Sequence, residues 1–126
     1  MPIEIKWLGH QRGVEFIGSG VVTGAQCISA NQAVIDDPRL PQLLFQIVDL
    51  SDVEKFEVDT QQSRTLATMD DLATKIVKGV RVAMICPDDL VFGMSRLYAG
   101  HTSSDWPVSV FRTRTEAEVW LGTSAT

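Results

Sequence analysis

The sequence predicts a single α/β domain over residues 1–126, built on a mostly parallel mixed sheet of about five strands that opens with an antiparallel hairpin and carries helices packed on it. Three observations carry that prediction. Two early segments alternate apolar and polar residues, two later runs (43–50 and 80–86) are almost continuously apolar, and stretches with helical spacing separate them. At 126 residues the chain suits one hydrophobic core, because folding at this size removes about two-thirds of the unfolded surface from water.

Ile3, Ile5 and Trp7 alternate with Glu4 and Lys6, which predicts a half-buried first strand. Residues 9–13 have turn composition, and Val14, Phe16, Gly18 and residues 20–22 continue as a second strand, antiparallel to the first. From Thr23 or Gly24 the period changes, with Cys27, Ile28, Ala30, Ala33 and Val34 at helical spacing. Asp36-Asp37-Pro38 ends that helix, because the residue before a proline avoids the α region. Residues 38–41 form a loop, and 43–50 read as a strand covered on both faces.

In residues 58–77, Leu66, Met69, Leu72, Ala73, Ile76 and Val77 share one face of a helix that Gly79 stops. Thr68 and Asp71 have the spacing of a capping box, which predicts a break or restart there. Residues 80–86 make a second central strand, closed by Pro87. Asp88 and Asp89 then stand at the N-terminus of a helix carrying Leu90, Val91, Met94, Leu97 and Tyr98. Residues 100–106 form a polar loop and 108–111 a short strand. Thr113 or Thr115 opens a last helix with Ala117, Val119, Trp120 and Leu121, which Gly122 stops.

Composition excludes several function classes. A formal charge of −5 and a pI near 4.8 oppose the electrostatic attraction that dominates nucleic-acid affinity, so no nucleic-acid partner is expected. The one local basic cluster, Arg112 and Arg114, reads as a solvated turn before a helix. No apolar run approaches the roughly 20 residues needed to span a bilayer, so no membrane span is expected. The first residues lack a charged leader and an apolar core, which makes the cytoplasm the expected compartment. Cys27 and Cys86 have no CxxC spacing and only His10 and His101 to accompany them, so buried thiols are expected, with neither metal nor cofactor.

Residues 46–60, reading Gln-Ile-Val-Asp-Leu-Ser-Asp-Val-Glu-Lys-Phe-Glu-Val-Asp-Thr, resemble the signature of STAS domains, the anti-sigma factor antagonist family. There a strand ends in an Asp-Leu-Ser-like turn, matched here by Asp49 and Ser51, and a second Asp, matched by Asp59, precedes a helix start. The order of elements is similar through Ala83-Met-Ile-Cys-Pro and on to the closing helix. Residues 91–98 with that helix resemble, more closely, uncharacterised bacterial STAS-like proteins. The resemblance implies the fold and a protein partner. It also implies a phosphorylated serine two places after the second Asp, but here that place holds Gln61, followed by Gln62 where the family has glycine. An amide accepts no phosphate, so the usual switching chemistry does not carry over, and Thr60 is the hydroxyl that remains.

Other constellations read as structure. Gly93-Met94-Ser95-Arg96 lacks the second glycine of a nucleophile elbow and falls within a helix. His101, Ser103, Ser104 and Asp105 are neighbours in one loop, which prevents triad geometry. The glycines between Gly18 and Gly24 miss the dinucleotide fingerprint and suit a bulge or close packing. The paired aspartates Asp36 and Asp37, Asp70 and Asp71, and Asp88 and Asp89 lie at helix ends, where capping accounts for them. Asp49, Ser51, Asp59 and Thr60 differ. They belong to the carboxyl end of a central strand and the next helix start, where open α/β sheets bind ligands, and they form the candidate binding site.

The sequence therefore points to a non-enzymatic STAS-like interaction or regulatory module without the usual phosphoacceptor serine. The alternative is a protein that binds a small apolar ligand or lipid, since similar folds of the CRAL-TRIO group hold lipids and the third helix carries Phe92, Met94 and Tyr98. Trp7, Trp106 and Trp120, all near element ends, add the expectation of a homodimer.

Overall fold

In the computed structural model, which describes residues 3–99 and 105–122, the opening alternation becomes an antiparallel pair. Strand β1 (Ile3–Leu8) lies against β2 (Gly13–Thr23) with Ile3, Ile5 and Trp7 opposite Gly18, Phe16 and Val14. The remaining elements follow as α1 (Gly24–Ile35), β3 (Phe45–Glu57), α2 (Thr60–Ala73), β4 (Arg81–Ile85), α3 (Asp89–Ala99), β5 (Val108–Phe111) and α4 (Arg114–Leu121). The five strands stand in chain order, β1-β2-β3-β4-β5, and β2 through β5 are parallel.

Strand order decides where the helices go. Each crossover from β2 onward steps to the adjacent strand in the same direction, and such units are right-handed, so the three crossover helices share one face. Val14, Phe16, Val22, Leu50, Val53 and Met84 pack there against residues such as Ala30 and Val34 of α1, Ala73 of α2 and Val91 of α3. The opposite face carries α4, whose Ala117 closes a smaller cluster with Phe45, Ile47, Ala83 and Ile85, bordered by Phe111 and Trp120. Gly13 is required on this second face, because a Cβ there would lie 2.3 Å from the Phe45 ring.

Strand β3 runs on to Glu57, well past the expected end at Leu50. Two register shifts against β2, after Ile17 and after Gly20, give β3 one extra residue each time. Bulges of this kind flip the inward parity of everything that follows. Leu50, Val53 and Phe56 thus all reach the helix-covered side although they are spaced by three, and the alternation that identifies a strand is lost after Leu50. The long strand delivers the chain directly to α2.

Helix α2 is unbroken, contrary to the expected restart at Thr68 and Asp71: the Thr68 hydroxyl donates to the Arg64 carbonyl one turn earlier. The helix ends at Ala73 instead of Val77, and residues 74–76 turn toward Gly79, whose φ of 74° suits only glycine comfortably. The Arg112–Arg114 turn is not simply solvated. Arg112 pairs with Asp89, donates to the Pro87 carbonyl and stacks over Phe92 at 4.0 Å, tying the start of α3 to the end of β5. Of the tryptophans invoked for a homodimer, Trp7 and Trp120 are half-buried and Trp106 is enclosed. Trp106 is buried and donates to the Val77 carbonyl, while Arg39 lies over Trp7 and Arg81 over Trp120.

Candidate functional site

The four candidate residues do not form one cluster. Asp49 projects toward the α4 face, where Arg114 at the start of α4 donates to Glu15 at 2.7 Å and to Asp49 at 3.4 Å. Burial works against the Arg114 charge, but the two carboxylates more than offset it and raise the pKa above the ordinary arginine value. The second Asp49 oxygen accepts the Ser51 backbone N–H, and Ser51 itself is exposed. Both carboxylate oxygens of Asp49 are therefore occupied by structural partners. Asp59 and Thr60 lie beyond the far end of β3, at the start of a helix on the other face. The bulged strand and the intervening sheet hold the two pairs apart.

Asp59 is an N-cap. Its carboxylate accepts the Gln62 N–H at 2.7 Å, and the Gln62 side-chain oxygen accepts the Asp59 N–H at 3.0 Å, completing a capping box. The Gln62 amide also lies flush against Gly24 at the start of α1, where a Cβ would come within 2.0 Å of it. Thr23 caps α1 with the same reciprocal pattern through Gln26. Thr60 is exposed at the first position of α2.

The structure assembles a different concavity, one with no motif to announce it. A cavity of about 140 Å³ lies between the sheet and the crossover helices, lined by residues that include Phe16, Gln46 and Leu50 of the sheet, Cys27 of α1, Leu66 of α2 and Ser95 of α3. Asn31 of α1 donates to Asp70 of α2 at 3.1 Å along the same wall. Ser95 is 2% exposed and its hydroxyl accepts from the Cys86 thiol, which buries it as a packing residue. Burial pushes the Cys27 thiol up to about 11 and also raises Cys86. The sequence did contain one signal for this space: Gln46, a polar residue inside an apolar run, on the side that the helices cover.

Phe92, expected to mark an apolar-ligand stripe, is half-buried under Arg112 and does not line the cavity; the side chains of Met94 and Tyr98 lie outside the described residues. So do His101, Ser103 and Ser104. Among the described residues no group of three or more His, Cys, Asp or Glu side chains could hold a metal ion. Among the same residues, no helix is long and apolar enough to cross a membrane.

An antiparallel hairpin followed by parallel strands in chain order, three crossover helices on one face and a terminal helix on the other, is the STAS-like fold. A solved structure of an uncharacterised protein from the DUF3478 family, with a SpoIIAA-like fold, from Shewanella loihica PV-4, is similar to this chain with a TM-score of 0.59. The two are 17% identical, and the match covers 94% of this chain and 91% of that one. At that identity the likeness is one of fold. No protein-family model and no curated protein matches the chain.

The capping geometry sets an expected outcome for the candidate site. Asp59→Ala should lower unfolding stability by about 1 kcal/mol in urea denaturation, with Asp59→Asn retaining most of it, whereas Thr60→Ala should change stability by a few tenths at most. Equal effects of Asp59→Ala and Thr60→Ala would contradict a capping role. The buried thiol sets another. Because the Cys27 pKa is raised to about 11 from 9.0, the reactive thiolate is scarce at neutral pH, and the rate of iodoacetamide alkylation should keep rising up to a midpoint near pH 11. A midpoint near 9 would place the thiol in water.

Proposed function

We propose that this chain is a non-enzymatic binding module of STAS-like fold that takes a small apolar ligand into the cavity beneath its crossover helices. The observation that carries this reading is the cavity itself, about 140 Å³ with mostly apolar walls. Cores pack with few voids larger than a water molecule, and an apolar cavity of roughly 150 Å³ is known to accept benzene. The same magnitude limits the ligand, because a long acyl chain needs several times that volume. A small aromatic or branched molecule fits the space, and a whole lipid tail does not. The non-enzymatic part is supported by the roles of the candidate groups. Ser95 is enclosed, Asp49 is held by Arg114 and the Ser51 N–H, and Asp59 is held by the Gln62 N–H, which leaves none of them placed as nucleophile or base.

Binding to the folded state alone raises stability, so toluene at millimolar concentration should increase the melting temperature in a saturable way. Ala30→Leu extends a side chain from α1 into the cavity and should abolish that increase while the protein remains folded. Absence of any shift with toluene would remove the proposal.

A protein partner is the second reading, favoured by Leu72 and Ile76, 55% and 54% exposed and four residues apart at the end of α2. With Gln61 at the family's phosphoacceptor position, such contact would be constitutive and not phosphorylation-dependent. A photo-crosslinker at position 75 should trap one defined protein in the source cell, and Leu72→Glu should eliminate the adduct; an unchanged adduct would count against this surface.

A further inference from the structure

Gln46 stands in the middle strand of the parallel sheet, between Val14 of β2 and Val82 of β4, with all three on the helix-covered face. A residue in that position is normally apolar. Gln46 is 5% exposed, and its carboxamide makes no hydrogen bond among the described residues. Burying an amide without a partner is unfavourable, and a leucine of similar size would avoid the cost. Among the described residues, no side-chain nitrogen or oxygen is both fully enclosed and unpartnered, so the Gln46 amide must face open volume. The volume that Gln46 lines is the cavity.

The rest of the wall restricts what could meet that amide. Among the described lining residues there is no Lys, Arg or His, so an anion would find no countercharge from them. The one carboxylate among the described lining residues, Asp70, accepts from Asn31 and has a further partner within the protein. A buried charge without a paired partner is strongly disfavoured, which leaves neutral ligands. A carboxamide offers a donor and an acceptor side by side, and a hydroxyl or amide group on the ligand complements both.

We infer that the cavity recognises a compact, uncharged, largely apolar molecule bearing one hydroxyl or amide group, and that Gln46 is the residue that reads that group. This inference rests on the ligand-binding reading above and adds the polar end of the ligand to it.

The test compares toluene, phenol and benzoate at pH 7 on the full chain and on Gln46→Leu, by titration calorimetry or ligand-observed NMR. The wild-type protein should bind phenol at least as tightly as toluene and should not bind benzoate measurably. Gln46→Leu should weaken phenol by about tenfold while leaving toluene within about threefold or tighter, as expected for loss of one hydrogen bond in a largely apolar site. Gln46→Met, of similar length and without a strong donor or acceptor, supplies the same comparison if the leucine variant does not fold. If the wild type binds toluene but binds phenol tenfold more weakly, or if both variants weaken the two ligands equally, the role of Gln46 is overturned and the cavity reading stands. Benzoate binding as tight as phenol would overturn the neutrality of the ligand. If toluene, phenol and benzoate all fail to bind the wild type, the ligand-binding reading itself falls.

Discussion

The handedness of the strand-helix-strand crossover is the constraint on which this structure depends. With strands β2 to β5 laid down in chain order, that handedness assigns α1, α2 and α3 to one face and leaves the other to the eight-residue α4. The two faces then have unequal cover and unequal chemistry. Three helices enclose a wide apolar layer on one side. On the other, the short α4 covers Phe45, Ile47, Ala83 and Ile85, and Arg114 at its start pairs with Glu15 and Asp49. A carboxylate on this side is a structural counterion, and an amide on the opposite side opens onto a cavity.

The bulges of β3 are the second device. An extra residue at each of two register shifts lets the strand follow the longer path beside β2 while keeping Leu50, Val53 and Phe56 directed into the helix-covered layer. The strand therefore stays paired with β2 as far as Glu57, and Asp59 arrives at the start of α2 as its cap. With the Gln62 amide fixed by Asp59 and packed on Gly24, the starts of α1 and α2 are locked together. A glycine at position 62 would lack the side-chain half of this box, so Gln62 has a structural consequence: it completes the cap at the start of α2.

The cavity and the capped helix start point the same way. The residues that look like chemistry in the sequence are satisfied by the fold, whereas the residue that the fold leaves unsatisfied is one that looks like an interruption of a strand. Gln46 does not belong to any catalytic pattern, and its significance comes from being polar, enclosed and beside open volume at once.

By itself the sequence determined the order and nature of the elements, because these rest on local physics. The alternation of Ile3, Ile5 and Trp7, the apolar runs around Ile47 and Ala83, the caps at Thr23, Asp59 and Thr113 and the stop at Gly122 are each set by residues a few positions apart. The resemblance in residues 46–60 led to the correct STAS-like fold for the same reason, since it records a local strand and helix start. What crossed strands was not legible. The bulges arise from the pairing of β3 with β2, so the spacing of Leu50, Val53 and Phe56 concealed the strand, and an apparent capping box at Thr68 was overridden within a continuous helix. Asp49 and Asp59 looked like neighbours in one motif, but the face of a sheet to which a residue points depends on register and on which helices cover that face. Only the tertiary structure could separate them, and only it could place Gln46 beside a cavity, because a cavity is a property of three packed elements and of none of them alone.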